Sequence, residues 1–136
     1  MNKLSYDLHD VNRGDVVVFE NPGDGDTTTK DLIKRVIGLP GETVEARDGQ
    51  VVINGQPLDE PYLERDVETR GAICHTETKP GCQGPDKIVV PADSYFVMGD
   101  NRANSRDSRF IGAIPDSRII GRAFVRVWPV TALGLL

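Results

Sequence analysis

The apolar stretches of this chain are short, rich in β-branched residues and closed by turn formers. Asp15-Val16-Val17-Val18-Phe19-Glu20 stops at Asn21-Pro22-Gly23, and Leu32-Ile33-Lys34-Arg35-Val36-Ile37-Gly38-Leu39 stops at Pro40-Gly41. Proline cannot donate to a strand ladder, and glycine accepts backbone angles that other residues avoid. Each such pair therefore reads as the end of a strand. Thr43-Val44-Glu45-Ala46-Arg47 and Gln50-Val51-Val52-Ile53 flank Asp48-Gly49, the composition of a tight hairpin turn. Three further strands are predicted at Lys87–Pro91, Tyr95–Gly99 and Ile119–Trp128. Residues 56–86 are weakly periodic and are read as an irregular excursion. No amphipathic stretch of helical length competes, and fourteen Gly and nine Pro in 136 residues fit turns better than long helices. The predicted class is all-β: coiled antiparallel sheets or a partly open barrel, in one domain with an insertion.

Charge narrows the function. Sixteen basic against 21 acidic side chains leave a net charge of −5, which argues against a nucleic-acid partner. No window carries the roughly 18 apolar residues of a membrane span. Met1-Asn2-Lys3-Leu4-Ser5-Tyr6-Asp7 has no apolar core of a signal peptide. The residues therefore predict a soluble piece of protein. Neither metal nor cofactor is expected: Asp24 and Asp26 share an exposed loop, but the further ligands of a calcium loop are missing.

Cys74 and Cys82 bracket Pro80-Gly81 within the excursion. A local disulfide, two free thiols and a zinc site are all open readings. The first would place the chain outside the cytoplasm, and the last lacks paired ligand spacing. His9 and His75 read as surface histidines, so a Ser-His-Asp triad has no support.

Two features stand out chemically. Asp100-Asn101-Arg102-Ala103-Asn104-Ser105-Arg106-Asp107-Ser108-Arg109 holds three Arg, two Asp, two Asn and two Ser. That is either a solvated turn or a charge-paired network propping a site. Lys34 lies in an apolar strand. Alternation puts Leu32, Lys34 and Val36 on one face and Ile33, Arg35 and Ile37 on the other, so each buried face carries one cation. Desolvation lowers the pKa of a lysine, which must fall well below about 10.4 for the amine to act as a base near neutrality. A snorkelling lysine at a strand edge is the alternative.

These residues resemble the bacterial type I signal peptidases, serine–lysine endopeptidases that remove signal peptides from exported preproteins. Arg13-Gly14-Asp15-Val16-Val17-Val18-Phe19 is similar to the family's first core strand. Lys34-Arg35-Val36-Ile37-Gly38-Leu39-Pro40-Gly41-Glu42 is similar to its lysine motif, and Gly99 to Arg109 to its last signature. The resemblance implies Lys34 as general base and Ser105 as the residue orienting it. It implies a charge pair, Asp107 with Arg109, holding the loop, with Asp100 and Arg102 in the same network. Val18, Asp31, Leu32 and Ile33 fall where the family lines its cleft for small Ala-x-Ala residues. The implied division is a catalytic core of residues 1–42 and 93–136, with a β-rich insertion of residues 43–92 that includes Cys74 and Cys82. The implied partners are signal peptides of exported preproteins and, for the intact enzyme, the outer face of the cell membrane. Phe110, Ile111, Phe124 and Trp128 are candidates for a membrane-resting surface or for core.

One departure matters. The family's nucleophile belongs to a Ser-Met-x-Pro motif, and none occurs here; Met1 to Tyr6 resembles the strand that follows it. The expectation is a chain without nucleophile, neighbouring oxyanion donors or anchor, and inactive alone. Two alternatives stand beside it: a non-catalytic relative that binds peptides or assists surface assembly, and a self-cleaving repressor-type serine–lysine domain.

Overall fold

The computed structural model describes residues 11–21, 31–64 and 67–123. Among the described residues, nine strands, one short α-helix and a 3-10 turn (Asp116–Arg118) follow in chain order: β1 (Val16–Glu20), β2 (Asp31–Gly38), β3 (Thr43–Arg47), β4 (Gln50–Ile53), β5 (Gln56–Pro57), β6 (Lys87–Val89), β7 (Ser94–Met98), α1 (Ser108–Ile111), β8 (Ile114–Pro115), the 3-10 turn and β9 (Ile119–Ala123). They form two antiparallel sheets. The five-stranded sheet runs β9-β1-β2-β7-β8, and the four-stranded sheet runs β5-β4-β3-β6. The all-β class predicted from the strand pattern is the class observed.

The long predicted strands lie where alternation and turn formers put them. Asp48 and Gly49 both take positive φ, 53° and 81°, as the two-residue turn between β3 and β4 requires. The short elements were not foreseen. β5 and β8 have two residues each and α1 has four, too few for any periodicity to show. The excursion is also less irregular than expected: β5 lies within it, and Cys82 bridges Ile88. The predicted strand from Ile119 is seen over Ile119–Ala123; residues 124–128, with Phe124 and Trp128, lie outside the described residues, as do His9 and the loop predicted at Gly23–Thr29.

Two apolar clusters flank β2 and β7. Val36, Tyr95 and Val97 join Val17, Phe19, Ile111 and Ile114 in one. Ile37, Phe96 and Met98 join Val44, Val51, Ile73 and Ile88 in the other. Both faces of the central strands are thus covered, which explains their near-continuous apolar runs. Ile111 is core, 5% exposed, and is no surface residue. The second sheet has no core of its own, since it closes on Ile37, Phe96 and Met98 of the first. Arg13 ties the start of β1 to the β2–β3 connection. Its guanidinium grips Glu42, whose carboxylate also accepts from Leu39 N at 2.7 Å. Burial pushes the Glu42 carboxyl up, but these hydrogen bonds and the Arg13 charge outweigh it, leaving the carboxyl below its usual range.

Candidate active site

Lys34 lies near the middle of β2, opposite Val17 of β1. Paired residues in an antiparallel ladder share a face, so Lys34 emerges on the side of Val17, Phe19 and Val36, all fully buried. The residue is 6% exposed. Its Nζ donates to Ser105 Oγ at 3.0 Å, across 71 positions of sequence. Burial lowers the Lys34 pKa. The Asp107 charge opposes that shift, Arg109 reinforces it, and Asp100 opposes it. A buried amine with a hydroxyl acceptor and a depressed pKa is equipped to take up a proton.

Ser105 is held by the loop around it. Asp107 is fully buried and caps α1. Its carboxylate accepts from Gly99 N (2.9 Å), Arg109 N (3.0 Å), Arg109 Nε (2.9 Å) and Arg109 Nη2 (2.8 Å). One side chain thus satisfies both ends of the loop and a buried guanidinium. Ser108 Oγ accepts from Val97 N at 2.9 Å and fastens α1 to β7.

Asp100 and Arg102 are in the network, though not as each other's ion-pair partners. Asp100 takes Arg35 in a two-pronged pair at 2.9 and 2.8 Å. Arg102 donates to Glu60 at 3.2 and 2.6 Å, to Thr69 Oγ1 at 2.8 Å and to Gly99 O at 2.8 Å. Tyr62 closes the circuit. Its hydroxyl donates to Glu60 at 2.8 Å, and Arg35 lies 4.1 Å above its ring. Burial, then the Glu60 charge and hydrogen bond, push the Tyr62 phenol far above its ordinary range. Arg35, Glu60, Tyr62 and Thr69 escaped the sequence reading as site supports. Arg35 reads as a buried cation from strand alternation alone, but the other three belong to a segment without periodicity, and no local signal marks them.

Val18, Asp31, Leu32 and Ile33 lie at one end of β2 and on the facing strand, Val18 opposite Ile33 and Phe19 opposite Leu32. Val18 and Ile33 point to the face away from Lys34, while Leu32 shares its face. Asp31 is exposed, and Val18, Leu32 and Ile33 are half-buried. β7 pairs with β2 only over 35–38. Among the described residues, the edge of Asp31–Lys34 away from β1 carries no strand. That edge ends at the amine. Cys74 and Cys82 sulfurs stand 2.16 Å apart, the distance of a bonded pair. Next to Cys74, His75 stacks on Phe110 at 4.1 Å and donates its backbone N–H to Arg109 O at 2.8 Å. The cysteine loop therefore rests against Arg109 and Phe110, at the end of the 100–109 loop.

Comparison with known proteins places the chain in a family. The family model described as signal peptidase, peptidase S26, matches residues 1–128. A signal peptidase I of Leptolyngbya laminosa is 46% identical over the whole chain, which covers 62% of that protein. A probable signal peptidase I of Synechocystis is 42% identical, again over the whole chain and 57% of the relative. A signal peptidase I of Bacillus caldolyticus is 37% identical over 95% of this chain and 68% of its own length. The chain thus spans about three fifths of the length of the first two relatives. Among solved structures, the crystal structure of a signal peptidase I from Enterococcus faecalis is similar at a TM-score of 0.63 and 38% identity, covering 83% of this chain and 96% of that one. Sheet architecture, the lysine strand and the length of the match converge, and the chain belongs to the signal peptidase family of serine endopeptidases, peptidase S26.

Proposed function

We propose that this chain forms the general-base half of a signal peptidase active site, with Lys34 as base and Ser105 as the residue that orients it. The observation that carries the reading is the buried Lys34 Nζ donating to Ser105 Oγ at 3.0 Å. The substrate is the signal peptide of an exported preprotein. It docks as an added strand along Asp31–Lys34, read by alternate side chains. Val18 and Ile33 receive small residues on one face, with Leu32 on the other and Asp31 at the entrance. A serine Oγ then attacks the carbonyl after the small residue while neutral Lys34 takes its proton. Lys34 returns that proton to the departing amine, and water hydrolyses the acyl-enzyme.

The serine of that step is not supplied by a Ser-Met-x-Pro motif among these 136 residues, so the chain by itself is inactive. Asp107 with Arg109, and Asp100 and Arg102 through Arg35 and Glu60, hold the loop that carries Ser105. The Cys74–Cys82 bond forms on the extracytoplasmic side of the membrane, where oxidation is permitted. Residues 43–92 act as an insertion that buttresses the site.

The test is cleavage of a preprotein ending its signal in Ala-x-Ala, followed by gel shift. The 136-residue chain is expected to leave it intact, and the same chain preceded by a segment carrying Ser-Met-x-Pro is expected to cut it. In that extended chain, Lys34→Met removes the base and Ser105→Ala loosens it. Expected losses in kcat/KM are at least about 100-fold for the first and a smaller factor for the second. Cleavage that survives Lys34→Met refutes the base role, and peptide binding with no cleavage by the extended chain supports a non-catalytic relative instead.

A further inference from the structure

Two ion pairs fasten the start of the loop that carries Ser105. Arg35 holds Asp100, and Glu60 holds Arg102. The side chains of both pairs are mostly withdrawn from water. Two guanidiniums and two carboxylates gathered in one place can pair in more than one way, because Coulomb attraction has no direction of its own. One neutral side chain touches both pairs. Tyr62 turns its ring to the Arg35 guanidinium at 4.1 Å and donates its hydroxyl to Glu60 Oε2 at 2.8 Å. The two contacts differ in kind. A ring face attracts a cation, which keeps Arg35 where its Nε and Nη2 both reach Asp100. The hydroxyl engages the same oxygen that takes the shorter bond from Arg102, 2.6 Å, and so fixes the rotation of the Glu60 carboxylate.

The loop carries this arrangement to the amine. Arg102 Nε donates to Gly99 O, while Gly99 N donates to Asp107. A single residue is thus gripped on both sides, once from each end of the loop. Ser105, the acceptor for Lys34 Nζ, lies between those ends. Three charges that act on Lys34, those of Asp107, Arg109 and Asp100, belong to the same loop. A shift of the loop therefore changes the acceptor, the charges and the burial of the amine together. Small misplacements of that kind, of about 1 Å, cost catalysis on the order of 100-fold even when the altered residue is remote. We propose that Tyr62 is a positioning residue: by keeping Arg35 on Asp100 and Glu60 on Arg102, it sets the place of Ser105 against Lys34. Its use in catalysis rests on the peptidase reading above.

The test follows the Lys34 amine by NMR in the full 136-residue chain, labelled with ¹³C at lysine Cε, its signal identified by its loss in Lys34→Met. Tyr62→Phe keeps the ring and removes the hydroxyl; Tyr62→Leu removes both. A loosened loop admits water to the amine and relieves the desolvation that holds its pKa down. The titration midpoint is expected to move up toward the ordinary lysine value, by about half a pH unit or more in Tyr62→Leu and by less in Tyr62→Phe. Leu58→Ala, which loses packing on the same apolar cluster as Tyr62, is expected to melt earlier and leave the midpoint in place. A midpoint unmoved in both Tyr62 variants, or moved as far by Leu58→Ala, overturns the inference. Should Tyr62→Leu fail to fold, a rise in Tyr62→Phe supports the inference and no change overturns it. In the chain extended by a Ser-Met-x-Pro segment, Tyr62→Leu is expected to lower kcat about tenfold with KM held within about twofold. A loss confined to KM overturns the positioning role. If the midpoint follows Tyr62 while the extended natural chain cuts no preprotein, the positioning of the amine stands and the peptidase reading falls.

Discussion

Lys34 concentrates the conflict between stability and chemistry in one side chain. Its folded-state pKa lies below the ordinary lysine value because the amine is buried. Between the two values the unfolded chain binds the extra proton, so stability rises with pH across that window. Below the folded pKa the cost of burying the charge is fully present. Lys34→Met should therefore unfold at higher urea than the natural chain at pH 6, with the advantage shrinking as pH approaches 10. Equal shifts at both pH values would show that the amine is not desolvated. Asp107 is the opposite case. Removing its carboxylate leaves the guanidinium of Arg109, 4% exposed, without its ion-pair partner. Asp107→Ala should cost about 3–5 kcal/mol in denaturant unfolding, as for other broken buried pairs.

At the scale of elements, β2 is the strand that the rest of the molecule is arranged around. It pairs with β1 at one end and β7 at the other, and its last residue, Gly38, passes beneath the second sheet. A Cβ there would lie 2.6 Å from Val44 Cγ2 and 3.1 Å from both Phe96 Cβ and Val90 Cγ2. Gly38→Ala is expected to destabilise by about 1–3 kcal/mol through overpacking. Gly121 in β9 is a matched control, because a Cβ there meets nothing within 4 Å among the described residues. Thermal melts should show a clear drop for Gly38→Ala and little change for Gly121→Ala. The polar loop and α1 form the second organising element. Glu60 and Thr69 reach it from the excursion between β5 and β6, which makes that segment a brace and not a passive insertion.

At the scale of the molecule, the two sheets should unfold together. The four-stranded sheet closes on Ile37, Phe96 and Met98 of its neighbour, so it keeps no core when that neighbour melts. Calorimetry is expected to show one transition with matching calorimetric and van't Hoff enthalpies, and two separated peaks would refute the shared core. Cys74 and Cys82 close a short loop at the rim of that core. Replacing both by serine should cost about 2–3 kcal/mol on the chain-entropy account, read as a lower denaturant midpoint of the oxidised natural chain's single transition.

The sequence alone determined the β class, the long strands and the Asp48-Gly49 turn, because alternation and turn chemistry act over two to eight neighbouring residues. It also singled out Lys34 and the 100–109 loop, since a cation in an apolar strand and a dense polar run are both visible locally. Tertiary structure decided what those residues meet. Lys34 finds Ser105 across 71 positions, Arg35 finds Asp100 across 65, and Arg102 finds Glu60 across 42. Burial and charge pairing at such separations depend on how sheets stack, and no local pattern records that. This is why Glu60, Tyr62 and Thr69 stayed hidden in a segment that reads as mere connection.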